Sequence, residues 1–130
     1  MSYIYYNPNP KVRRTDDCVV RAICKLTDKD WYYVYTQLCL QGFMGCDWGN
    51  CNEIWSSYLR KIGYRKFLIP NTCPDCYSVE DFCNDYPKGK YMLATGEHVI
   101  TVVDGDYYDT WDSGDEVPIY YWCKNIIQKK

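Results

Sequence analysis

Nine cysteines and a single histidine are the residues of this 130-residue chain best suited to covalent chemistry. His98 is the only imidazole, and so the only histidine general base whose ordinary pKa lies near neutrality. Cys18 stands apart from the other thiols by position. It follows Thr15-Asp-Asp and precedes the apolar set Val19, Val20, Ala22, Ile23 and Leu26, a pattern that predicts a helix starting near Thr15–Cys18, with the thiol in its first turn. Unpaired first-turn N–H groups and the helix dipole favour negative charge there, which lowers a thiol pKa and makes it a better nucleophile. Asp16 and Asp17 work against a thiolate unless they point away. A thiolate of this kind attacks acyl carbons, an imidazole carries the proton, and a carboxylate fixes the imidazole tautomer.

The third member depends on strand register. His98 follows Thr95-Gly-Glu97 and opens a β-branched run, and Asp104-Gly105 is the strongest short hairpin signal in the chain. With a two-residue loop, position 98 opposes 111 and shares its face with Asp109. With a three-residue loop and a bulge, 98 opposes Asp112 directly. Asp112 also lies where the returning strand ends, level with His98. It is the favoured orienter, with Asp109 the alternative.

The elements that must position these groups follow from periodicity. Residues 1–14 form an extended lead-in, because Pro8 and Pro10 forbid a regular helix. Helices are predicted from Cys18 through Leu26, from Trp31 through Leu38 after the cap residues Thr27 to Asp30, and from Ile54 to Ile62 with Gly63 as the stop. Segment 41–50 reads as a loop. Strands are expected at Tyr64–Ile69, Lys90–Thr95, His98–Val103, Asp106–Trp111 and Val117–Trp122, with one helical turn at Ser78–Phe82. Pro118 interrupts or edges the last strand. Residues 124–130 form a polar tail. Helices first and an antiparallel sheet after, without repeats or a linker, give an α+β fold with residues 1–130 as a single domain.

Apolar residues at 47% and charged residues at 25% exclude a disordered or collagen-like chain. A net charge of -2 argues against duplex nucleic acid as a partner. No apolar stretch approaches the roughly 20 residues that span a bilayer, so no membrane partner is expected. An odd cysteine count and the lack of a secretory signal favour free thiols in the cytoplasm.

Three short motifs carry a resemblance: Thr15-Asp-Asp-Cys18-Val-Val-Arg21-Ala22-Ile23, then Gly96-Glu-His98-Val-Ile-Thr-Val-Val-Asp-Gly105, then Tyr108-Asp-Thr-Trp-Asp112. Together, across residues 15–123, they resemble the papain-like cysteine peptidase superfamily, in particular compact bacterial and phage-type members similar to bacteriocin-processing peptidase domains. The resemblance implies a papain-like fold, with a nucleophile-bearing helix packed on a sheet that brings His and Asp. It implies hydrolysis or transfer at a peptide, isopeptide or related acyl bond through a thioester, with no cofactor. Such enzymes place a Gln several residues before the Cys as an oxyanion donor. This chain has none before residue 37, which leaves Asn9, or Asn7, as a substitute beside the Cys18 N–H.

Two rival functions remain at this level. One is a catalytically inert papain-like scaffold of phage or mobile-element origin that binds and inhibits a host protein in the host cytoplasm. The other is a structural-zinc module built on Cys46, Cys51, Cys73 and Cys76. Single-strand binding through Lys11, Arg13 and Arg14 with nearby tyrosines is opposed by the acidic hairpin. Cys24, Cys39, Cys83 and Cys123 lie within periodic segments and read as small buried hydrophobes.

Overall fold

Period-two alternation in the C-terminal half sets the architecture. The computed structural model describes residues 2–70 and 75–124. Strands β3 (Lys90–Ala94) and β4 (Val99–Val103) pair antiparallel, and β4 turns into β5 (Asp106–Asp109). Met92, Ala94 and Val99 face one side, while Tyr91, Leu93, Ile100 and Val102 face the other. Both faces are apolar, so both must be covered.

Three helices cover the first face: α1 (Cys18–Thr27), α2 (Trp31–Gly45) and α3 (Asn52–Lys61). Helix α1 buries Val19, Val20, Ala22, Ile23 and Leu26, and the Thr101 hydroxyl donates to the Ala22 carbonyl at 2.6 Å, which pins the helix to β4. Trp55 of α3 packs edge-on against Trp122, ring centroids 6.1 Å apart, and both are fully buried. Each indole removes on the order of 200 Å² from water, worth at most about 5 kcal/mol. The second face is closed by the short helix α4 (Val79–Asp85), whose Phe82 sits among Tyr86, Tyr91 and Tyr121. A capping box between Ser78 and Asp81 starts it.

The α+β class is as expected, with two differences. The sheet is mixed rather than antiparallel. Its order is β1-β5-β4-β3-β6-β2, where β1 is Tyr3–Tyr5, β6 is Tyr120–Cys123 and β2 is Arg65–Leu68, and β1 runs parallel to β5. The expected extended lead-in therefore begins as an edge strand, which ends before Pro8. Helix α2 also continues through the segment expected as a loop, to Gly45. Gly42 permits this by lying under the following turn, where a Cβ would come within 2.5 Å of the Asp47 carbonyl oxygen. The expected 124–130 tail lies outside the described residues except for the exposed Lys124. Among the described residues, no helix is long and apolar enough to cross a membrane.

Candidate active site

Cys18 is the first residue of α1, capped by Asp17. The Asp17 side chain makes no capping bond. Its carboxylate instead accepts from Arg21 Nη1 at 2.9 Å and from Trp31 Nε1 at 3.0 Å. The neighbour that could have opposed a thiolate is thus turned away and ion-paired. The Cys18 thiol shares one small cavity with the His98 ring and Val99, both of which act to lower its pKa. Burial pushes the thiol up, but the His98 bond, the Val99 backbone, the imidazolium charge and Arg21 together bring it below the ordinary value.

His98 Nε2 lies 2.6 Å from Asp109 Oδ2, which leaves Nδ1 as the ring nitrogen for the sulfur. Burial lowers the imidazole pKa, yet the bonds and charges of Asp109 and Cys18 outweigh it and raise the group to about 9. The Trp111 ring covers the imidazole at 5.0 Å between centroids. A thiol shifted below its ordinary value beside an imidazole shifted above its own favours a thiolate–imidazolium pair.

Asp109 is fully buried and completely satisfied. Oδ1 accepts from Arg21 Nη2 at 3.0 Å and from the Thr110 N–H at 2.8 Å, while Oδ2 takes His98 and the Ser113 hydroxyl at 2.7 Å. Burial raises this carboxyl, but the His98 bond and charge, Ser113 and Thr110 hold it below the ordinary value. Its backbone carbonyl is also held, by the Tyr6 N–H at 2.8 Å and the Tyr3 hydroxyl at 3.3 Å.

The carboxylate bonded to His98 is therefore Asp109, not the favoured Asp112. The turn is the reason. Thr101 pairs with Tyr108 and Val103 with Asp106, so the loop is the two residues Asp104 and Gly105, both at positive φ. That register carries 98 toward 111 and sets Asp109 on the diagonal, within reach of a ring. Asp112 instead accepts from the Tyr107 hydroxyl at 2.5 Å and the Gly114 N–H at 3.1 Å, closing the turn after β5.

Asn9 is corrected as well. Its side-chain oxygen accepts from the Lys11 N–H and its N–H donates to Asn7, so it organises the lead-in rather than an oxyanion hole. It does not line the cavity of about 120 Å³ around Cys18 and His98, which Asn50 and Asn52 do. Asn52 spends its side-chain oxygen on Trp55 Nε1 at 3.0 Å, leaving the amide N–H groups as its uncommitted end. Sequence reasoning missed it because it comes after the nucleophile in the chain. The other missed residue is Arg21, whose signal was its i, i+4 spacing from Asp17.

The remaining cysteines divide. Burial holds Cys24 and Cys83 up at about 12 and pushes Cys123 up, the opposite of Cys18. Cys39, expected to be buried, is exposed on α2. Cys46, Cys51 and Cys76 belong to no cluster of three or more metal-binding side chains among the described residues. Cys73 lies outside those residues. The Cys51 thiol donates to Asp47 at 3.2 Å. No protein-family model, no curated protein and no solved structure matches the chain, so its chemistry is read from its own residues.

Proposed function

We propose that this protein is a papain-like cysteine hydrolase acting on a peptide, isopeptide or related acyl bond. The observation that carries the reading is one imidazole that shares a small cavity with the Cys18 thiol and is bonded on its other side to a fully buried, fully satisfied carboxylate. A helix bearing the nucleophile at its first residue, packed on a sheet that brings His98 and Asp109, supports the papain-like comparison.

In the proposed cycle the Cys18 thiolate adds to the carbonyl carbon, and the negative charge moves to the carbonyl oxygen. In this cycle the Cys18 N–H and the amide of Asn52, a residue that lines the same cavity, donate to that oxygen. The His98 imidazolium then gives its proton to the departing amine, and the thioester forms. His98, now neutral, takes a proton from water. The resulting hydroxide attacks the thioester, the C–S bond breaks, and the acid leaves with thiolate and imidazolium restored. No metal or cofactor takes part in these steps. The eight free thiols among the described residues suit a reducing compartment, and the cytoplasm is the proposed location.

Iodoacetamide labelling across pH, read by mass spectrometry at each cysteine, tests the pair. Cys18 will label at lower pH than the other cysteines, with an apparent pKa below the free value of about 8.5, and His98→Ala will move that value up. Labelling no faster than the exposed Cys39, Cys46 and Cys76 sinks the proposal. For the oxyanion donor, Asn52→Asp keeps the acceptor for Trp55 and removes the N–H. Its kcat on an activated peptide amide will fall by about 10²–10³ with little change in KM.

A second reading is an inert scaffold that binds a host protein. It draws on the outer side of α2, where Leu40, Phe43 and Met44 are 51%, 82% and 60% exposed. Full partner binding by Cys18→Ala, with no labelling advantage at Cys18 in the wild type, would favour it.

A further inference from the structure

A groove of about 850 Å³ lies beside the small Cys18–His98 cavity, a size that accommodates several peptide residues. One wall is the segment from Asn9 to Asp17. The other is α2 with the turn after it. Asn50 lines both the groove and the cavity, so the two adjoin at that residue. We propose that this groove binds an extended peptide through an aromatic side chain with an acidic neighbour. The choice of a peptide rests on the acyl chemistry proposed for Cys18.

The aromatic preference follows from what α2 and its turn place in water. Trp48 is 80% exposed and Tyr35 is 49% exposed, on a wall where an ordinary surface carries charge. Trp31 is held rigid by its bond to Asp17 and by stacking on Tyr35, centroids 4.8 Å apart and nearly parallel. A flat, preorganised aromatic wall binds another ring at little ordering cost.

The acidic preference follows from the charges left over. Asp17 is buried and shares the Arg21 guanidinium with Asp109. The exposed charges that line the groove are Lys11 and Arg13 against Asp16, two cations to one carboxylate, on a chain whose net charge is -2. One excess positive charge suits a single carboxylate side chain. It is too little to track a run of phosphates.

The experiment uses the full chain as Cys18→Ala, so that binding is read without turnover. The probe is a fluorescein-labelled octapeptide with one Phe beside one Glu, compared by anisotropy with versions carrying Gly for Phe or Lys for Glu, and with oligothymidine of equal length. The Phe–Glu peptide will bind about tenfold more tightly than either variant, in line with a modest interface anchor. Adding Trp48→Ala will erase the Phe preference. Adding Lys11→Glu with Arg13→Glu will reverse the charge preference. Equal binding of the three peptides, a Phe preference that survives Trp48→Ala, or tighter binding of oligothymidine overturns the proposal. Selective binding without a thioester in the wild-type protein keeps the groove and removes the hydrolase. A thioester without selectivity does the reverse.

Discussion

Asp109→Asn will lower the hydrolysis rate constant on an activated peptide amide by about 10⁴, whereas Asp112→Asn will stay within about twofold, as an exposed turn residue does. The geometry around Asp109 explains the asymmetry. Four donors converge on its two oxygens: Arg21, the Thr110 N–H, His98 and the Ser113 hydroxyl. An asparagine has one oxygen and an NH₂ group, so one side must meet donors with donors. If the oxygen stays on Arg21 and Thr110, the NH₂ faces His98 Nε2 and forces that nitrogen to accept. The ring proton then sits on Nδ1, and the nitrogen facing Cys18 can no longer take the thiol proton. The same substitution will move the pH profile of Cys18 alkylation upward, which a merely structural role for Asp109 would not do. Unchanged alkylation together with full activity would return the orienting role to Asp112.

Arg21→Met will destabilise the fold by about 3–5 kcal/mol in urea unfolding near neutral pH, a large share of the 5–15 kcal/mol that holds a typical domain together. The guanidinium bridges two carboxylates whose side chains are 7% and 0% exposed, at 2.9 and 3.0 Å. Removing it strands both. Lysine will rescue only part of the loss, because a single ammonium cannot present the fork that reaches both acids. Arg21→Met combined with Asp17→Asn will recover part of the stability, and the double-mutant cycle will give the coupling. The pH dependence has a definite sign. The folded pKa of Asp109 lies below its ordinary value of 3.8, so the carboxylate contributes stability above that value and loses it as pH falls through the folded one. Once acid has protonated Asp109, the gap between Arg21→Met and the wild type will narrow.

Local chemistry carried most of what the sequence made legible. Cys18 declares itself because a cap and an apolar face surround it, and His98 because it is alone and opens a strand. The α1 and α3 boundaries and the β3–β4–β5 meander follow from periodicities of 3.6 and 2. The choice between Asp109 and Asp112 turned on one residue of loop length, which a hairpin dipeptide leaves open. Arg21 and Asn52 were not legible in their roles. Arg21 reaches a partner 88 positions away, and Asn52 enters the cavity from a helix that periodicity alone could not dock. The exposed Cys39 failed for a related reason. Helix α2 is apolar on most of its circumference, so its pattern could not say which side faces water.

The parallel edge strand has a consequence in time. Tyr3 and Tyr6 hold the backbone of Asp109 across more than a hundred residues, so the first strand synthesised can find its place only after β5 has been made. Closing so long a loop is a late and slow event compared with forming α1. A nascent chain therefore displays Cys18 on a young helix long before the carboxylate arrives to order His98. Through that interval the thiol is an ordinary one. The proposed reactivity is thereby withheld until β5 is in place.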